Sequence, residues 1–264
     1  MSAPVFRARV ADMGEIQDAG QPTAEPFVWP RVQTLPPGAL GRWLRAAWAD
    51  LRAAPGPSLF YGVVLALMGF LFQRFLGGAV GVALTTGFLL VGPFLAIGLY
   101  DLSRRREAGE VARLAPTLRA WQVNFPAISF YAVALTLLLA AWIRVSVVII
   151  AVCFPEGRID WLSPATWAFA LVYAAVGSGL ALFVFATTSL SLPLLLDRPD
   201  MDTISAAITS FNALRRNLTS MLCFGACIVV FSAIGFATWR LGLVLAMPLI
   251  GHMTWHAYRE TIRA

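Results

Sequence analysis

Long runs of apolar residues alternate with short polar gaps along this 264-residue chain. Six stretches carry no charge at all: residues 53–73, 75–100, 120–143, 161–196, 217–239 and 241–258. Each is close to or longer than the ~20 apolar residues that a helix needs to cross a bilayer. The pattern predicts an all-α polytopic membrane bundle, with six transmembrane helices arranged as three hairpins. Residues 38–264 would form this membrane domain. Residues 1–37 are polar and rich in proline, and are expected to be a disordered cytoplasmic tail.

The gaps contain helical patterns of their own. In residues 38–54, Leu40, Trp43, Leu44, Ala47, Trp48 and Leu51 recur at helical spacing. Arg42, Arg45, Asp50 and Arg52 fall mostly between them, so the segment reads as an amphipathic helix. It suits either the headgroup layer or a cap on the bundle. A second such piece lies around residues 111–121. In a third, Ile204, Ala207, Ile208 and Phe211 form the apolar side.

Each hairpin is expected to be an outgoing helix, a short turn and a returning helix. The predicted spans are 57–74 and 77–100, then 126–154 and 164–194, then 218–239 and 241–258. The third span, at 29 residues, would be about 43 Å long at 1.5 Å per residue. That exceeds the ~30 Å hydrocarbon thickness, so this helix must tilt, project or break near Arg144. Pro93, Pro193 and Pro248 fall in the middle or later part of the three returning helices, where proline kinks a helix and frees a carbonyl. Gly87, Gly92 and Gly98 in the second span, and Gly177, Ser178 and Gly179 in the fourth, permit close helix contact.

Charge orients the bundle. All 20 basic residues are arginine. Sixteen lie in the N-terminal segment, the second and fourth gaps and the C-terminus, against three on the other side: Arg74, Arg158 and Arg240. The positive-inside bias then puts both termini in the cytoplasm of a bacterial inner membrane. A mean hydropathy of +0.73 agrees, as does a charged fraction of 13% against about 25% in soluble domains. The net charge of +6 follows from arginines beside helix ends and calls for no nucleic-acid partner. The N-terminus lacks the apolar core of a cleavable signal peptide.

Candidate chemistry is sparse. His252 and His256 are the only histidines, and sit at i and i+4 near the end of the sixth stretch. Cys223 and Cys227 have the same spacing on the fifth. A hairpin folded near residues 239–240 brings the two pairs to matched depth, where two thiols and two imidazoles would suit a soft metal ion. The plainer reading makes the cysteines small hydrophobes and His256, with Trp255, Tyr258 and Arg259, part of an interfacial belt. Arg144 is the one charge inside a long apolar run, and such residues are functional candidates unless they snorkel to the interface. Asp101 and Asp197 are expected to pair with Arg104 and Arg198 in a solvated layer. No other cofactor motif, nucleophile–base pair or phosphate loop appears, so the chain does not read as an enzyme.

Three segments resemble a family of bacterial integral membrane proteins grouped as domain of unknown function 2189. They are RAAWADLRAAPGPSLFYGVVLALMG, SLSLPLLLDRPDMDTISAAITSFNALRRN and PLIGHMTWHAYRE. The resemblance spans roughly residues 40–260, with TWHAYR as its most specific part. It implies a six-helix inner-membrane protein of no assigned activity. Some relatives are likened to cytochrome c oxidase subunit one, but two histidines are too few for haem–copper ligation. The expected role is non-catalytic: binding membrane-protein partners or lipids, with an accessory or assembly role beside a respiratory complex as its sharpest form. A small-solute channel or permease, and a metal-handling protein using helices five and six, are the alternatives.

Overall fold

The computed structural model describes residues 29–74, 94–154 and 162–263, and the chain from Arg31 onward forms one unit. Its elements follow from local chemistry. A two-residue strand, β1 (Arg31–Val32), precedes α1 (Ala39–Ala53). Ala39, Trp43, Ala47, Asp50 and Leu51 make up the buried side of α1. Prolines 55 and 57 then open α2 (Pro55–Arg74), where a missing N–H costs little. The chain bends by 105° between the two helices.

Helix α3 covers 94–107 of the described residues. It ends in a Schellman motif: Glu110 N–H donates to Arg105 O at 2.8 Å and Gly109 N–H to Arg106 O at 3.0 Å. Gly109 supplies the positive φ of 76° that this motif demands. A short helix α4 (Leu114–Thr117) and a 3₁₀ turn (Ala120–Asn124) lead into α5 (Phe125–Cys153). Helix α5 runs unbroken for 29 residues through Arg144, whose side chain is exposed.

Helix α6 (Pro164–Thr188) is shorter than the predicted fourth span. The chain turns at Ser189–Leu190 and restarts as α7 (Ser191–Asp197), in which every residue from Ser191 to Leu196 is buried. Pro193 lies just after this break in the long helix, whose two parts together still make one candidate span, and it cannot donate to the Ser189 carbonyl four residues before it. It sits in the first turn of α7, where its missing N–H leaves little unpaired. Asp202 caps α8 (Thr203–Arg216), its Oδ1 accepting from Ile204 N at 2.8 Å and Ser205 N at 2.9 Å. Helices α9 (Leu218–Ala237) and α10 (Leu243–Thr261) are joined by a tight turn at the expected place, with positive φ at Trp239 and Arg240. Pro248 lies buried inside α10.

The chain ends in β2 (Ile262–Arg263), antiparallel to β1 with Arg31 opposite Arg263. Gln33 N–H extends the contact to Thr261 O at 2.7 Å. Leu35 N–H donates to Asn217 Oδ1 at 2.7 Å, and Asn217 Nδ2 donates to Gln33 O at 2.8 Å. Residues 31–35 of the expected tail are thus part of the fold, because backbone pairing with the C-terminus and with α9 holds them. Residues 1–28 of that tail lie outside the described residues.

Three described segments are long and apolar enough to cross a membrane: Leu114–Cys153, Pro164–Asp197 and Leu218–Ala237. The bent pair α1–α2 makes a fourth if counted as one span. The six-span count is therefore matched only in part. Residues 75–93 of the predicted second span, including Pro93, Gly87 and Gly92, lie outside the described residues, as does the first hairpin turn.

The best-packed region gathers α1, α2, α3 and α10. Backbones approach closely because three glycines allow it. A Cβ on Gly62 would strike Val244 O of α10, with the Pro248 ring at 3.0 Å. One on Gly98 would strike the Tyr61 ring, and one on Gly251 would meet Leu99 Cδ1 at 2.7 Å. In the fourth span, a Cβ on Gly177 would lie 3.2 Å from the Trp142 ring, whereas one on Gly179 would meet nothing within 4 Å.

Candidate functional site

Two features stand out, one closed and one open. The closed one centres on Asp50. This carboxylate is buried on α1, not on the polar side that its helical neighbours suggest. Its Oδ2 accepts from Ser103 Oγ of α3 at 2.5 Å and contacts His256 Nε2 of α10 at 2.8 Å. Its Oδ1 accepts from Arg106 of α3. Ser103 Oγ also lies 2.7 Å from His252 Nδ1, and His252 Nε2 lies 3.0 Å from Ser58 Oγ of α2. Four helices thus share one polar cluster.

Proton counting fixes the roles. Ser103 gives its only proton to Asp50, so His252 Nδ1 must donate to Ser103 Oγ. His252 Nε2 then accepts from Ser58, and His256 Nε2 donates to Asp50. Both ring nitrogens of His252 are thereby satisfied, with a fixed tautomer. Burial works to raise the Asp50 pKa, but the hydrogen bonds from His256 and Ser103 hold it below the ordinary 3.8. The arrangement contains serine, histidine and aspartate but is the reverse of a nucleophile triad. Ser103 donates to the carboxylate, accepts from the imidazole and has no base to activate it. Ser58, Ser103 and His252 are all buried. The cluster joins helices.

Further polar ties surround it. Trp43 Nε1 donates to Glu260 Oε2 at 2.7 Å, and Arg42 pairs with Glu260 at 2.6 Å. Asp101, fully buried, takes Arg104 at 2.5 Å and also Arg105 at 2.8 Å. Asp197 pairs with Tyr258 Oη at 2.7 Å and with Arg259 at 3.3 Å, not with the expected Arg198. Trp255 and Tyr258 are buried, so the α10 end is a packed face and not an interfacial belt.

The open feature is an apolar groove of ≈ 430 Å³ between α5, α6 and α8. Ile204, Ala207, Ile208 and Phe211 line it from α8. Tyr131, Leu135 and Leu138 line it from α5, and Phe183 from α6. Of this apolar side, Ile204, Ile208 and Phe211 are exposed, while Ala206, Thr209, Ser210 and Ala213 face the core. The reason is local: Ser210 Oγ donates to Ala186 O at 2.9 Å, and Ser191 Oγ reaches Ala206 O at 3.1 Å. These hydrogen bonds need the small, polar side of α8 against α6 and α7.

The predicted metal ligands are not assembled. Cys223 is exposed and Cys227 half-buried on α9, while His252 and His256 use their ring nitrogens within the Asp50 cluster. Among the described residues, no group of three or more His, Cys, Asp or Glu is arranged to hold a metal ion. Of the other predicted positions, Pro248 packs against Gly62, and Pro193 and Arg144 lie apart from the cluster, in α7 and α5.

Sequence reasoning missed Ser58, Ser103 and Arg106 altogether. Asp50 did carry a signal, since it continues the stripe Ala39–Trp43–Ala47 at i+3 from Ala47. Long apolar helices flanking a buried polar knot now make a family comparison informative. Residues 81–197 match the model of DUF2189, a predicted integral membrane protein. The DUF2189 match takes in α3, α5, α6 and α7. It is narrower than the expected 40–260, and the TWHAYR motif of α10 falls outside it. No curated protein and no solved structure matches the chain.

Proposed function

We propose that the chain is a non-catalytic protein of the bacterial inner membrane that binds membrane-protein partners or lipids. The observation that carries this reading is the apolar groove between α5, α6 and α8. A polar-lined passage would favour conduction; an open apolar groove beside long lipid-compatible helices favours an apolar occupant. The Asp50 cluster supports the non-catalytic part, since Ser58, Ser103 and His252 are buried and mutually satisfied.

Six crossings with both termini cytoplasmic is the topology we favour. The pairing of β1 with β2 brings residues 31 and 263 together, and chain ends held on one side require an even number of crossings. The arginine distribution supplies the direction. An accessory or assembly role beside a respiratory complex is the finer form of the reading and rests on the family resemblance.

A photoreactive amino acid at Leu138 or Phe183, illuminated in intact membranes, tests the proposal. The expected result is a stoichiometric adduct with one membrane polypeptide or with lipid. Protein that purifies in mild detergent with no adduct and no retained lipid or partner would overturn it.

A further inference from the structure

The groove does not end in apolar residues. On α8, Ile204, Ile208, Phe211 and Arg215 follow one another at i, i+4, i+7 and i+11, which places Arg215 on the same stripe one turn beyond Phe211. Arg215 is exposed and has no hydrogen bond or ion pair among the described residues. With Asn212, Arg216 and Val32 it lines a hollow of ≈ 470 Å³ that contains no acidic residue. Arg216 is partly committed, donating to Thr34 Oγ1 at 3.0 Å.

An apolar channel beside a free guanidinium, with a second arginine and an amide next to it, has the amphiphilic order of one ligand type. We infer that the groove and the hollow together form a site for an anionic phospholipid. An acyl chain would lie against Phe183, Leu138 and the α8 stripe, and the phosphate would be held by Arg215, with Asn212 and Arg216 in reach. Charge complementarity selects an anionic headgroup: the hollow presents two cations, and a bidentate guanidinium suits phosphate oxygens. A transmembrane helix from another protein would fill the apolar part but leave Arg215 without a counter-charge. Basic residues beside a membrane helix on the cytoplasmic side are also where anionic lipids concentrate. This inference rests on the binding role proposed above and specifies its occupant.

The test is native mass spectrometry of the full-length, delipidated protein in mild detergent. It is titrated with phosphatidylglycerol or with phosphatidylcholine of the same acyl composition. Wild type is expected to hold one phosphatidylglycerol in preference to phosphatidylcholine. Arg215→Ala, at an exposed position that leaves packing intact, should weaken phosphatidylglycerol about tenfold, as loss of a charge-assisted contact predicts, and leave phosphatidylcholine unchanged. Ala207→Trp, which fills the groove, should weaken both lipids alike. Equal binding of the two lipids to wild type would overturn the inference, as would a preference that survives Arg215→Ala. If neither lipid binds but a photoreactive group at Phe211 captures one stoichiometric membrane polypeptide, the lipid inference fails and the binding role stands. If nothing is captured either, both fail.

Discussion

Two regions of this protein are held together in opposite ways. Helices α1, α2, α3 and α10 meet through buried charge, hydrogen bonds and glycine-mediated backbone contact. Helices α5 and α6 meet through a few large rings: Trp142 lies 5.4 Å from Tyr173, and Phe154 lies 5.0 Å from Phe169. Only 6% and 0% of the most apolar windows of their two segments are buried within the chain. The difference follows from the solvent. Against lipid tails, apolar surface gains little by finding another helix, so specific packing must come from small residues and polar links. The first region has both. The second has little of either, only Gly177 beneath Trp142 and one hydrogen bond from Tyr131 Oη to Thr187 O at 2.6 Å, and so has surface to spare for lipid or a partner.

Breaking the polar knot should have the largest effect. Asp50→Ala strands Arg106, His256 and Ser103 among four helices, and loss of one partner from a buried charged network costs about 3–5 kcal/mol. Thermal unfolding in detergent should show this as a large fall in Tm. A Tm near wild type would mean that the cluster does not hold the bundle.

Next in size is Gly62→Val. It drives a side chain into Val244 O and Pro248, and overpacking of this kind costs about 1–3 kcal/mol. Gly179→Ala, where a Cβ meets nothing within 4 Å, should be neutral or slightly stabilising. Equal effects from the two substitutions would erase the contrast between the regions.

Acid should act on the knot and not on the α5–α6 pair. The folded-state pKa of Asp50 is depressed below 3.8. Its stabilisation is therefore complete above the unfolded carboxylate value and is lost as pH falls through the folded one. Wild type should lose thermal stability below about pH 4. Asp50→Asn should start lower and flatten that part of the profile; parallel profiles would assign acid sensitivity elsewhere.

The smallest effect is expected on the exposed side of α5. Leu137→Ala and Val148→Ala should each change unfolding by no more than about 0.5 kcal/mol, as surface substitutions do. A larger loss, seen only in native membranes and absent in detergent, would show that a bound molecule covers this face.

Much of the frame was legible beforehand. The apolar runs predicted α2, α5 and α9 nearly to their ends, and the turn near residues 239–240 sits where the break between runs put it. The α8 stripe was legible as apolar, but which side of the helix packs inward was not. Its inner face is chosen by Ser210 and Ser191 reaching main-chain carbonyls, an interaction that hydropathy does not register. The fourth span holds as one candidate crossing, and its break at Ser189–Leu190 lies where Pro193 removes the helical hydrogen bond to Ser189. The metal reading failed on facing: equal depth along two helices says nothing about which way each side chain turns.

What the sequence determined by itself is membrane residence, helical class and the asymmetry of its arginines. These depend on properties that add up locally along the chain, namely hydropathy, length and charge. Tertiary structure alone decided that Asp50 is the centre of a four-helix polar cluster and that the α8 stripe is open. Asp50 lies 53 residues from Ser103 and 206 from His256, and Ser103 lies 149 from His252. A buried charge is stable only with all its partners in place, and those partners come together only when the helices do.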